Sequence, residues 1–546
     1  MKTQFDYIVI GGGSAGCVLA SRLTEDPNVT LCLLEAGGRG DGAVVTIPSG
    51  AVAMMPTRIN NWGFETTPQP ELNGRKGYQP RGRALGGSSA INAMVYIRGH
   101  REDYDRWAQR EGCTGWSYDD VLPYFKLSEN NGRIQDEWHG NAGPLPVNDL
   151  QSDNPFQQRF LEAAAQTGHR LSRDFNGADQ EGVGIYQVTQ KNGERWSAAR
   201  SYLFPVMHRT NLTVHTHALV ERIVFEGKRA VAVVVKINGQ SVRIQANREI
   251  LLAAGALQSP QLLMVSGVGD SAELKKHGIE QVHHLPGVGQ NLQDHPDFIF
   301  GYKSNSLDLL GLSIRGIWRM ILEIFRYRRQ RRGLLSSNFA EGGAFLKTES
   351  HLSAPDIQLH FVIALVDDHA RRFHYGHGYS CHVCLLRPRS RGAVTLSGPD
   401  MQTAPLIDIG FLKDKRDLED MVKGYKLTRR LLEAPALSKW ARKDIFTGNV
   451  RSDDDIRNIL RQRVDTVYHP IGTCKMGSDD MAVVSPELKV KGLEGLRVVD
   501  ASVFPSLIGG NTNAPVIMLA EKAADIIRGR SRVASTADNT NKVMAP

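Results

Sequence analysis

Four patterns of apolar and polar positions organise this chain. Residues 5–10 (FDYIVI) form a short apolar run rich in β-branched side chains, which predicts a buried parallel strand. Residues 15–23 carry small and apolar side chains suited to a helix, and residues 29–34 give a second strand. Further on, residues 211–220 and 230–235 predict strands, with Lys228 and Arg229 near the turn between them. Residues 357–362 and 379–386 alternate apolar with polar side chains, which predicts an antiparallel sheet. A last apolar stretch, residues 516–527, predicts a helix. An opening strand–helix–strand unit followed by a separate antiparallel region implies an α/β chain with a parallel-sheet domain and a second domain with an antiparallel sheet. At 546 residues the chain is too long for one core, so more than one domain is expected.

The first unit carries chemistry. Gly11, Gly13 and Gly16 stand at G-x-G-x-x-G spacing between strand and helix. The first permits a sharp turn, the second lets backbone approach a pyrophosphate, and the third lets the helix pack close to the strand. The helix aims its free N–H groups and positive dipole end at that pyrophosphate. Glu35 ends the second strand, where a carboxylate can accept hydrogen bonds from an adenosine ribose. A glycine turn with no ligand explains neither the spacing nor the acid. This motif alone does not choose between NAD and FAD. A second small-residue cluster, Gly86, Gly87, Ser88 and Ser89, lies in PRGRALGGSSAINAMVYIRGH, with the amide of Asn92 inside an apolar run. By itself that stretch fits a tight loop before a buried helix as well as a ligand contact.

Composition adds less. At 41% hydrophobic and 23% charged it is that of an ordinary globular protein. No apolar run reaches the ~18 residues of a membrane span, and no secretory signal is read before the first strand, so a cytoplasmic protein is expected. Cys17, Cys32, Cys113, Cys381, Cys384 and Cys474 are scattered and read as reduced thiols. One CxxC with His374, His377 and His382 nearby lacks a second ligand pair, so alternating strand residues explain it better than a metal site. The net charge of +8 is unevenly spread: residues 309–335 hold seven arginines and one glutamate. On a helix, Ile314, Ile317, Trp318, Ile321, Ile324 and Phe325 share one face and Arg315, Arg319 and Arg326 the other. That pattern suits an anionic membrane surface, or a helix packing its apolar face on its own protein. No nucleic-acid module is recognisable, so nucleic acid is not an expected partner.

Several longer stretches together resemble the glucose–methanol–choline (GMC) family of flavin oxidoreductases. They are NWGFETTPQ, INAMVYIRGH, GVGIYQVTQKNGERWSAARSYL, ILLAAGALQSPQLLMVSGVG, NLQDH, SNFAEGGAFLK, YHPIGTCKMG and LRVVDASVFP with GGNTNAPVIMLAEKAADII, in the family's order from residue 5 to about 530. Within the family the resemblance is strongest to bacterial membrane-associated members that oxidise aliphatic primary alcohols, with choline-oxidising members more distant. It implies FAD as cofactor, a Rossmann-like FAD-binding domain plus a substrate domain with an antiparallel sheet and flanking helices, and a domain plan of residues 1–295 for FAD with small parts joining the substrate domain, 296–463 for substrate and 464–530 returning to the FAD domain. The polar composition of residues 531–546 predicts a disordered tail. The resemblance also implies that FAD is held by Gly11, Gly13, Ser14, Ala15, Gly16, Glu35 and Ala36 at the first turn. Trp62, Arg83, Leu85, Gly86, Gly87, Ser88, Asn92, Ala93, Met94 and Val95 follow in the covering segment. Val220, Ala254, Gly255, Asp500, Ala501, Asn511 and Thr512 complete the set. The family attaches FAD covalently through a histidine in some members; this chain has Ile91 there, so non-covalent FAD is expected.

The same resemblance makes His469, in H-P-x-G-T, the base that takes the alcohol's proton while the flavin N5 takes the hydride. Asn513 is expected as its partner, holding the substrate oxygen and capping the helix that follows with Pro515 in its first turn. That helix would aim its dipole at charge developing on the flavin. Glu341 and His360 are the expected pocket residues. A carboxylate at Glu341 keeps choline open as substrate, since a buried carboxylate needs a cationic partner or a proton. Apolar residues near Trp318–Phe325 favour an aliphatic chain. A quinone or respiratory-chain acceptor is expected, on a protein lying peripherally on the inner face of the cell membrane. An oxygen-using oxidase and a flavin lyase or binding protein are the alternatives.

Overall fold

The computed structural model describes residues 2–530. The expected tail, 531–546, lies outside them. The first apolar run forms the strand Gln4–Ile10, which pairs in parallel with Leu31–Leu34 on one side and Gln240–Leu252 on the other. Leu31–Leu34 is buried along its whole length, as a strand covered on both faces should be. The sheet runs in the order Leu212–His215, Leu31–Leu34, Gln4–Ile10, Gln240–Leu252, Arg229–Ile237, Ala218–Glu226, with Leu496–Val498 added beside Gln240–Leu252. Its last three strands form an antiparallel meander.

The expected strand over 211–220 is in fact two. Leu212–His215 continues the parallel part, whereas Ala218–Glu226 pairs antiparallel with Arg229–Ile237. The break falls at His217, whose φ is 53°. It wraps around the end of the second strand: the Glu35 N–H donates to the His215 carbonyl at 2.9 Å, and the Ala218 N–H donates to the Glu35 carbonyl at 2.8 Å. A local kink invisible to hydrophobic periodicity thus fixes the acid of the dinucleotide motif.

The second sheet is antiparallel throughout. Its order is Lys443–Asp444, Pro296–Ser304, Gly376–Leu385, Ile357–Val362, Ala340–Leu346, Gly182–Ile185, with Gly311–Leu312 and Asp465–Thr466 attached. Gly182–Ile185 comes from within the N-terminal half of the chain and pairs here. In Ile357–Val362 the alternation holds but every residue is buried. Ile357, Leu359 and Phe361 enter the apolar core of this sheet, while Gln358 and His360 face an internal polar surface. Cys381 and Cys384 are buried thiols of Gly376–Leu385. Among the described residues no helix is long and apolar enough to cross a membrane.

Candidate active site

A cavity of about 770 Å³ runs between the two sheets, lined by Ile10 and Leu34 of the first and by His360 and His382 of the second. Each glycine of the first turn has a distinct job. A Cβ on Gly11, where φ is 101°, would lie 2.4 Å from the Ala253 carbonyl oxygen. A Cβ on Gly13 would meet nothing closer than 3.9 Å, so that backbone stands open to the cavity. A Cβ on Gly16 would lie 1.9 Å from the Gly11 carbonyl oxygen, so Gly16 packs the helix Ser14–Leu23 onto the turn. Glu35 accepts the N–H of Gly12 at 2.8 Å and of Gly37 at 2.7 Å. Burial pushes its carboxyl up to about 7 against those bonds.

The second cluster braces the first. The Gly86 N–H donates to the Gly12 carbonyl at 2.7 Å, and a Cβ on Gly87 would come within 2.7 Å of the Gly13 Cα. Of the residues expected at FAD, Ser14, Ala15, Ala36, Trp62, Ser88, Asn92, Ala93, Met94, Val95, Val220, Ala254, Gly255, Asp500, Ala501, Asn511 and Thr512 line the cavity beside Gly11, Gly13, Glu35 and Gly87. Gly16, Arg83, Leu85 and Gly86 do not. Gly16 and Gly86 are consumed by backbone packing, Leu85 is wholly buried, and the Arg83 guanidinium lies over the Trp62 ring at 4.4 Å. These four support the lining rather than form it.

The opposite end holds the histidines. His469 is buried, and its Nδ1 lies 3.0 Å from Nδ1 of His295. His295 Nε2 is 3.1 Å from the Leu386 carbonyl, which can only accept, so that nitrogen carries the proton. His295 Nδ1 is then an acceptor and His469 Nδ1 the donor. His469 Nε2 is left as the unprotonated acceptor. It takes a hydrogen bond from the Nδ2 amide of Asn511 at 3.1 Å. The Asn511 amide is oriented by Gln358, whose Nε2 donates to Asn511 Oδ1 at 3.0 Å. Burial, and then the neighbouring His295 and His360, hold the His469 imidazole well below its ordinary pKa. Burial likewise lowers His295 to about 4. Both rings are therefore neutral at pH 7. Asp294 ties the pair together, accepting the backbone N–H of His295 at 2.8 Å and of His469 at 2.9 Å.

This corrects the expected partner. Asn513 Oδ1 accepts from Ser14 Oγ at 2.8 Å, at the dinucleotide turn, and it is Asn511 that meets His469. Asn513 is also not the cap: Thr512 precedes the helix Asn513–Ile527, of which Asn513 is the first residue. Once the helix begins, residues two apart point to different sides of its end. Glu341 is a second correction. It does not line the cavity; it is wholly buried and accepts from Ser337 Oγ at 2.6 Å and Gln157 Nε2 at 3.1 Å. Burial raises its pKa, and neutral donors satisfy it. His360 does line the cavity, and burial lowers its pKa to about 3.

Sequence reasoning assigned no role to Asp294, His295, Gln358 or Arg195. The first two stand in the NLQDH stretch, and Gln358 shares a strand face with His360. Arg195 is fully buried and donates through Nη1 to the Asn92 carbonyl at 2.6 Å and to Asn92 Oδ1 at 2.9 Å, fixing the covering segment. Its place in GVGIYQVTQKNGERWSAARSYL was the only signal for it.

A glycine-braced dinucleotide turn opening into a cavity that ends at a neutral histidine is the plan of a flavin-dependent oxidoreductase. The chain belongs to the GMC oxidoreductase family: models of its N- and C-terminal parts match residues 5–297 and 388–520. It is 45% identical to an alcohol dehydrogenase [acceptor] of Pseudomonas putida over 536 residues, 97% of either chain. It is 43% identical to the human mitochondrial choline dehydrogenase, covering 97% of this chain and 90% of that one. The fold is similar to a pyridoxine 4-oxidase from Mesorbium loti, with a TM-score of 0.86 and 31% identity over 96% of this chain and 99% of that one. The protein is an FAD-dependent oxidoreductase acting on the CH–OH group of alcohols.

Proposed function

We propose that the chain oxidises a medium-chain aliphatic primary alcohol to the aldehyde, with His469 as base and Asn511 as the donor that holds the substrate oxygen. The unprotonated Nε2 of His469, paired with the Asn511 amide and held in that tautomer by His295, carries this reading. A hydroxyl that replaces this direct bond donates its proton to Nε2 and accepts from Asn511 Nδ2. The base is then cationic, keeping its Nδ1–H on His295, and the oxygen is left ready to form a carbonyl. FAD, when bound, supplies the acceptor for the hydride and its two electrons. Gly13, Ser14 and Glu35 would hold its dinucleotide end, and Asn92 with Met94 its covered face. Ile91 lines the cavity where a covalent link would need a nucleophile, so the cofactor is held without a bond.

The wall beyond His469 favours a hydrocarbon chain. It includes Leu310, Phe339, Val362, Leu365, Val366 and Phe373, with His369, Arg372 and His374 as its polar members. The lining carboxylates are Glu35 and Asp500, and both are engaged by backbone N–H groups. Glu341, the residue that kept choline open, is outside the lining. A quinone is the proposed acceptor, reached by peripheral contact with a membrane through residues 309–335.

Anaerobic bleaching of the bound flavin tests the substrate. Straight-chain primary alcohols of medium length should bleach it quickly and choline should not; bleaching by choline alone would overturn the reading. Peroxide formed in step with alcohol loss in air would replace the quinone with oxygen.

A further inference from the structure

The helix Ile314–Gln330 is packed inside out. Its buried residues are Glu323 and Tyr327, which are tied to the protein by the Leu334 N–H on Glu323 Oε2 at 2.8 Å and by Tyr327 Oη on the Gly193 carbonyl at 3.1 Å. Its apolar residues face solvent: Ile314 is 74% exposed, Leu322 68%, Trp318 67% and Phe325 60%. With Ile317, Ile321 and Ile324 they occupy an arc of about 160° on the helix. An amphipathic helix on a soluble protein normally turns this face to the core. Beside it stand Phe373 and Tyr375, both more than 70% exposed, and Tyr375 bridges to Leu312 of the strand leading into the helix.

Part of the charge on this helix is also unanswered. Arg319, Arg326 and Arg331 reach carboxylates, but among the described residues Arg315, Arg328 and Arg329 have none. Arg328 and Arg329 lie within the apolar arc, where their stems can cover hydrocarbon and their heads reach a phosphate plane. Finally, the cavity reaches this surface. Val52, Leu312 and Phe373 are exposed and also line it, and Met320 of the helix lines it from within.

We infer that this face docks on an anionic phospholipid bilayer, with Trp318, Leu322 and Phe325 in the acyl boundary and Arg315, Arg328 and Arg329 on the headgroups. Docked so, the cavity mouth opens into the lipid, and an alcohol dissolved there reaches His469 without crossing water. The docking stands on the surface alone; the alcohol's route rests on the function proposed above. A second copy across a two-fold axis fits less well, because it would set the same unpaired arginines against each other.

The test uses the FAD-loaded enzyme in vesicle flotation. Vesicles of phosphatidylcholine with one-third phosphatidylglycerol should carry the wild type up, and pure phosphatidylcholine should carry far less. Arg328→Gln with Arg329→Gln should lower partitioning by roughly thirtyfold, and Trp318→Ser with Phe325→Ser should abolish flotation. Flavin content and bleaching by a short water-soluble alcohol check that the variants are intact, and a failure there bears on the function and not on the docking. Anionic vesicles should also lower the KM for dodecanol in the wild type but not in Trp318→Ser/Phe325→Ser. Equal flotation of wild type and variants, or none by the wild type, would overturn the proposal. So would a dimer in lipid-free sedimentation that Trp318→Ser/Phe325→Ser converts to monomer, because the face would then belong to a second copy.

Discussion

The cavity has two ends built in different ways. At the dinucleotide end the working groups are mostly backbone, drawn from contiguous sequence: Gly11, Gly13 and Gly16 shape the turn, and Glu35 closes it on the N–H groups of Gly12 and Gly37. At the histidine end they are side chains from distant segments. His295, Gln358, His469 and Asn511 meet there in one hydrogen-bonded line that ends on the Leu386 carbonyl. A substitution at the first end acts on cofactor retention, and one at the second acts on a proton.

Replacement of His469 by Ala should produce the largest effect. Losing a general base costs about 10²–10⁴ in the rate of flavin reduction, while FAD should stay bound because the first end is untouched. Loss of FAD from His469→Ala would break the separation. His295→Ala removes the acceptor that keeps the proton on His469 Nδ1, and should slow reduction by about 10²-fold. Its pH profile should change as well, which a merely structural role would not produce. Glu35→Gln should weaken FAD binding by about tenfold or more, with little change in the reduction rate of the enzyme that retains cofactor. Equilibrium flavin titration measures the first effect and stopped-flow absorbance the second.

The pH dependence sharpens the same contrast. The base works only when neutral, and burial holds the His469 pKa below its ordinary value near ~6.5. Rate is therefore kept as pH falls from 8 to about 6.5 and is lost only below that, as His469 takes a proton. A limb of kcat/KM centred above 7 would mean that the site raises this pKa.

Legibility in the sequence followed the same division. The parallel strands, the glycine turn and Glu35 were readable because their spacing along the chain is their geometry. The break at His217 was not, since it depends on wrapping the end of a neighbouring strand. The second sheet was readable as antiparallel, but its alternation concealed a burial on both faces that makes Gln358 and His360 internal. The two asparagines show the limit most plainly. Asn511 and Asn513 differ by two positions and share a residue type, and only the start of a helix between them sends one to His469 and the other to Ser14. The arginine helix was readable as amphipathic, but which face turns outward is a matter of tertiary packing.

The most direct test compares those two asparagines. Single-turnover flavin reduction by a saturating primary alcohol should slow about 10²–10³-fold in Asn511→Ala and less than about tenfold in Asn513→Ala, where only the bond to Ser14 is lost. The reverse order, or equal losses, would contradict the assignment of Asn511 as the partner of His469.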